Sequence, residues 1–181
     1  VICGAGVQSP VEEALTMVSK EFKECLVDVY HGELAGEAVM EVMLSAAQTP
    51  EQNYILGSLL QLETEGKALI RPTLVKCGLS ILDTAGDMSE GAAAIREMNS
   101  LPWVERFTAI RDVTQAQYLP RYEELATLVT MEEDRDAATL AAFMGDHERA
   151  VISLAERVIA GAPDPAGPVV DLLRFPLPKP D

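Results

Sequence analysis

Between Val11 and Leu44 the apolar residues recur at alternating steps of three and four: Val11, Leu15, Val18, Phe22, Cys25, Leu26, Val29, then Met40 and Leu44. Residues at those steps share one face of an α-helix, which turns once in about 3.6 residues. A stripe this long has to be covered by other elements, so the chain is expected to fold as packed amphipathic helices. Ser9-Pro10, followed by Glu12 and Glu13, reads as a helix start, with a serine cap, a proline in the first turn and carboxylates at the positive end of the dipole. The stripe predicts one helix from there to about Ala47. Gly32 and Gly36 would either kink it or let a neighbouring helix or a ligand come close.

The same signals recur downstream. Thr49-Pro50-Glu51 opens a second helix whose inward residues are Leu56, Leu59, Leu60, Glu63, Gly66, Ile70 and Leu74, with a bend expected at Pro72. Residues 78–101 read as a long connection holding a short helix, Glu90 to Met98, capped by Ser89. A link of this length can cross the assembly and return the chain to the same end. Ser100-Leu101-Pro102 starts a third helix with Trp103, Phe107, Ile110, Thr114, Gln117, Tyr118, Tyr122, Leu125 and Leu128 inward, again bent at a proline, Pro120. Thr130-Met131-Glu132-Glu133 has the form of a capping box and introduces the last long helix, with a restart at Asp136 as the alternative, to about Ala160, stopped by Gly161 and Pro163. Residues 162–181 hold six of the eleven prolines, which predicts an extended tail on the outside with a turn of helix at Val169 to Leu173. The domain reading is a lead-in over 1–8, one helical domain over 9–161, and the tail over 162–181.

Composition narrows the function. The formal charge of −15 argues against nucleic acid, which is bound largely through Lys and Arg on phosphates, and against an anionic membrane surface. Cys3, Cys25 and Cys77 lack metal-binding spacing and read as reduced thiols, Cys25 as a core residue. Neither a spanning apolar run nor a secretory leader is read, so a cytoplasmic location is expected. Phosphate loops, nucleophile elbows and zinc-finger spacings are absent.

The two histidines sit in the polar segments Tyr30-His31-Gly32-Glu33-Leu34-Ala35-Gly36-Glu37 and Asp146-His147-Glu148-Arg149. Helical counting turns Glu33, Glu63 and His147 toward the core and puts Glu37, Glu124 and Glu148 near its edge. His31 falls off the stripe, as a surface or interface residue. Buried carboxylates are costly unless paired or bound to a metal. Two accounts follow. Either these groups hold a cation, or they hold one another: His147 hydrogen-bonded to Glu33 or a tyrosine, Glu63 ion-paired with Lys67 one turn on, Glu148 and Arg149 on a solvated face. Tyr118, Tyr122 and Trp103 read as core or interface aromatics.

From Ser9 to Ala160, the helix count, the crossover and the segments around Glu33, Glu63 and His147 resemble the ferritin-like superfamily, whose four-helix bundles carry di-iron or di-manganese carboxylate sites. The resemblance implies an all-α, ferritin-like four-helix bundle with a long crossover and the Pro-rich tail outside it. It implies Glu33 or Glu37 as the first-helix ligand, Glu63 as the second, Glu124 or Glu123 as the third and His147 as the fourth, with His31 or Glu148 assisting. Gly66 stands where the pattern has histidine and Met144 where it has glutamate, so both Glu-x-x-His motifs are incomplete. The expectation is a reduced site binding iron or manganese, with a metal-dependent oxidoreductase acting on a small-molecule substrate as the implied activity. The rival is a metal-free bundle that binds a small ligand or a protein. A homodimer is compatible with either.

Overall fold

The computed structural model describes residues 18–82 and 98–180. The lead-in over 1–8, the Ser9-Pro10 helix start and all but the end of the helix read over Glu90 to Met98 lie outside those residues. Among the described residues the protein is helical throughout, without strands.

Helix α1 spans Lys20–Ser45. Ser19 is extended and its hydroxyl accepts the Phe22 N–H at 3.0 Å, so the stripe read as uninterrupted from Val11 to Leu44 is broken at Ser19 by a second serine cap. Helix α2 spans Pro50–Lys76 with Thr49 as its cap, as the sequence signals. It continues through Pro72 rather than stopping there. Ala68 and Pro72 are both exposed, so water can serve the carbonyl that the proline leaves without a donor. Gly78, at φ 71°, then closes the helix, with Leu79 N–H donating to Leu74 O at 2.9 Å.

The third rod is composite: α3 (Trp103–Val113), a π-helical turn (Thr114–Tyr118) and α4 (Leu119–Thr127). Leu119 N–H reaches back to Thr114 O, a five-residue step, just before Pro120. The reciprocal capping box forms between Thr130 and Glu133, but it closes a turn. Asp134 is the actual cap of α5 (Arg135–Ile159), accepting from the Asp136 and Ala137 N–H groups. A short α6 spans Gly167–Val170, and Ala166 just before it and Val169 within it are buried in the core. After it the buried carboxylate of Glu65 accepts the N–H groups of Arg174 (2.7 Å) and Phe175 (3.0 Å), which holds the following segment against α2.

Helix α1 packs on α2 and α4, α2 on α5, and α5 on α3 and α4. The rods therefore close into a ring. Its interior divides into two apolar clusters. One contains Phe22, Leu26, Ile70, Leu74, Tyr122, Leu125 and Met144; the other contains Met40, Leu56, Leu59, Phe107, Val151 and Leu154. Along every rod the segment between the two clusters is polar or wide-turned: residues 33–37 of α1, 63–67 of α2, the π turn, and residues 147–148 of α5. One polar layer thus crosses the middle of an apolar core. No helix among the described residues is long and apolar enough to cross a membrane.

Candidate functional site

The layer is built from groups that rarely go inside. Glu33 and His147 are both fully buried, and Glu63, Glu148 and Lys67 are nearly so. Glu33 Oε1 accepts a hydrogen bond from the Tyr122 hydroxyl at 2.8 Å. Its Oε2 lies 3.3 Å from His147 Nε2, and His147 Nδ1 lies 3.5 Å from Glu148 Oε1. These are ion-pair distances without hydrogen-bond alignment: Glu33 Oε2 and both imidazole nitrogens are buried and make no hydrogen bond. One donor atom from each of Glu33, His147 and Glu148 lies within 4.8 Å of the others.

Three glycines make the space. A methyl group at Gly66 would overlap Glu33 Oε2, one at Gly36 would overlap the Glu63 carboxyl, and one at Gly32 would overlap the Tyr122 hydroxyl. The glycines of α1 therefore admit side chains of neighbouring helices, and Gly66, where the superfamily pattern has histidine, is the floor under Glu33. Lys67 pairs with Glu37, which also accepts from the Thr64 hydroxyl at 2.7 Å.

Of the residues singled out in the sequence, Glu33, Glu63 and His147 turn inward together, and Glu148 joins them. The solvated face read for Glu148 is corrected, because α5 rotates it toward His147. Glu37 is engaged by Lys67, which replaces the ion pair read between Glu63 and Lys67; helical spacing puts that pair within reach but does not forbid a better partner across the helix gap. Glu124 and Glu123 point outward, held by Arg121 (2.5 Å) and Arg149 (2.7 Å), and so do not line the layer. Instead α4 presents Tyr122 at the level of Glu33. His31 is exposed. Tyr122 as the donor to Glu33 was missed; the signal available was its place on the inward stripe of its rod.

Electrostatics follow from burial. Desolvation, then the charge of Glu148, hold the Glu33 carboxyl well above its usual range, and desolvation, then Glu33, do the same for Glu63. Burial pulls His147 down, but the adjacent Glu148 and the charge of Glu63 outweigh it, and the net shift is upward. Each raised group binds its proton more tightly in the folded chain than in the unfolded one. For the carboxyls, stability is lost as pH rises above the unfolded value of 4.5; for His147 it is lost as pH rises through and beyond 6.5. Chelator-treated protein is therefore expected to lose stability between pH 5 and pH 8, by about 1.4 kcal/mol per pH unit for each proton that only the folded state retains. Urea titrations of wild type and Glu63→Gln across that range test this; equal slopes would refute it.

Fold and site define a class: an all-helical protein with a buried carboxylate and histidine layer between two apolar clusters. Compared with protein-family models, curated proteins and solved structures, the chain matches none.

Proposed function

We propose that this protein is a ferritin-like four-helix bundle that holds a single divalent cation, iron or manganese, at Glu33, His147 and Glu148, with Glu63 beside them. One observation carries the reading: three donors from two helices converge in a buried spot, and Glu33 Oε2 and both His147 nitrogens have no other partner there. Carboxylate and imidazole suit these metals, and a three-residue set leaves coordination positions open. Gly66 and Met144 remove the residues that a second ion would need. Bound there, such an ion supplies oxygen-dependent redox chemistry, which makes the activity that of a metal-dependent oxidoreductase. The chain's own residues exclude water with the two apolar clusters, orient Glu33 through the Tyr122 hydroxyl, and hold Glu37 back with Lys67.

Metal analysis of protein grown with iron or manganese is expected to find close to one ion per chain, with His147→Ala and Glu148→Gln each lowering the affinity at least tenfold, as loss of a ligand should (on the order of 10–100-fold already for a residue that only supports one). Content that is far below one ion and unchanged in both variants would sink the proposal.

The Tyr122–Glu33 hydrogen bond and the Lys67–Glu37 pair favour a second reading, a metal-free bundle in which the network fixes helix register and the molecule binds a small ligand or a protein. On that reading His147→Gln changes stability and leaves metal content at background.

A further inference from the structure

A cavity of about 100 Å³ lies between α1, α2, α3, the π turn and α5. Its walls are largely apolar, with Val39, Met40, Ile110 and Val151 among them, and the Tyr118 ring stands at one side. Val113 lines it and is also 39% exposed, so it sits between the cavity and solvent. Two acids break the apolar lining, Glu63 and Glu148.

Glu63 is the unexplained one. The residue is only 6% exposed, and its carboxyl rests on Gly36, makes no hydrogen bond or ion pair with any described residue, and does not belong to the Glu33, His147 and Glu148 donor group. Glu63 lines the cavity, so a partner for its carboxyl group can reach it there. The sign of that partner is set by the surroundings, since Glu33, Glu148 and Glu37 all act on Glu63 with only His147 opposing them, and the Lys67 charge is paired with Glu37. An anion would be repelled by the surrounding carboxylates, and a neutral molecule would gain nothing from their charge, whereas a cation gains from all of them.

We propose that this cavity binds a small apolar amine, its ammonium group received by the Glu63 and Glu148 carboxylates beside the Tyr118 ring and its hydrocarbon part among Val39, Ile110 and Val151. The volume suits a molecule of about four to six non-hydrogen atoms, since a cavity of roughly 150 Å³ accommodates benzene. An aromatic wall adds attraction for a cation. Glu148 is shared with the proposed metal ligands, so the inference extends that reading to a substrate class, but amine recognition rests on Glu63 and the cavity and does not need an ion.

The test is calorimetric titration of the full chain with n-butylamine, n-butanol and butyrate, first with chelator and again with manganese present. Saturable binding of butylamine is expected with chelator, with butanol at least about tenfold weaker, as loss of a charged hydrogen bond implies, and with no binding of butyrate. Glu63→Gln, which keeps the side-chain shape, and Val113→Trp, which fills the mouth from its exposed rim, should each weaken butylamine by about tenfold or more. Butanol binding as tightly as butylamine, or butylamine binding that is absent or unaffected by Glu63→Gln, would overturn the inference. Amine binding in a protein that takes up no manganese would count against the metal centre alone; manganese uptake sensitive to His147→Ala without amine binding would count against the amine alone.

Discussion

Lys67→Met is expected to destabilise the protein by about 2–4 kcal/mol in urea unfolding, at the lower part of the range for breaking a buried ion pair because Glu37 keeps some contact with water. The side chain of Lys67 is almost wholly buried, and its charge holds Glu37 and also lowers the pKa of Glu33. Methionine keeps the apolar stem and removes the charge, which leaves Glu37 beside Glu33 and Glu63. Adding Glu37→Gln should then restore most of the loss, because the double variant has neither charge left to compensate. If the double variant is as unstable as Lys67→Met alone, Lys67 contributes through packing and not through its pair.

Gly66→Ala is expected to cost about 1–3 kcal/mol as an overpacked buried site, where glycine to alanine inside a helix ordinarily gains roughly 0.5–1 kcal/mol. The reversal comes from Glu33. Its Oε2 occupies the space a methyl group would take, its Oε1 is held by Tyr122, and His147 closes the other side. The carboxyl has nowhere to retreat. Gly145→Ala on α5 is the internal control, because the added methyl meets only the end of the half-exposed Arg149 side chain, at 3.3 Å, which can shift at the expense of no more than its surface pairs with Glu123 and Asp146. In a Glu33→Ala background Gly66→Ala should become neutral or favourable. Thermal or urea midpoints of the four variants decide it, and a stabilising Gly66→Ala in the wild-type background would refute the packing derived for Glu33.

Much of the helical organisation could be read from spacing and caps. Thr49-Pro50 begins α2 where the signals place it, and Gly78 and Gly161 end their helices at positive φ. Starts were harder where two caps lie close together. The Thr130 to Glu133 box and Asp134 both satisfy orphan N–H groups, and the second starts the helix. Ser19 was hidden because the apolar spacing runs across it. The π turn left a trace in the sequence: Ile110, Thr114, Tyr118 and Tyr122 follow one another at steps of four, and each such step drifts by about 40° on a regular α-helix. A wider turn is what lets Ile110, Thr114 and Tyr122 all remain buried.

For the site, counting along a helix assigns a face, and that sufficed for Glu33, Glu63 and His147. It cannot assign a neighbour. Counting therefore gives Lys67 to Glu63 on its own helix instead of Glu37 across the gap, and places Glu148 only at the edge of the core face. Glu124 has the residue type the superfamily pattern wants, yet Arg121 one turn earlier offers it an exposed partner, while Tyr122 takes the inward position. Gly66 looked like a missing ligand, and only the three-dimensional fit shows it as the room that Glu33 needs.

The Glu65 clasp has a consequence for how the chain is made. Glu65 finds its two backbone donors 109 and 110 residues further along. At ribosomal speeds of about 5–20 residues per second, that separation is on the order of 5–20 s of synthesis. During that interval α1 and α2 can already pair, with only Gln61 serving the Glu65 carboxylate. The acid that later anchors the end of the fold thus keeps one flank of the nascent helical pair hydrated, and that flank becomes dry only once residues 174 and 175 have arrived to cover it.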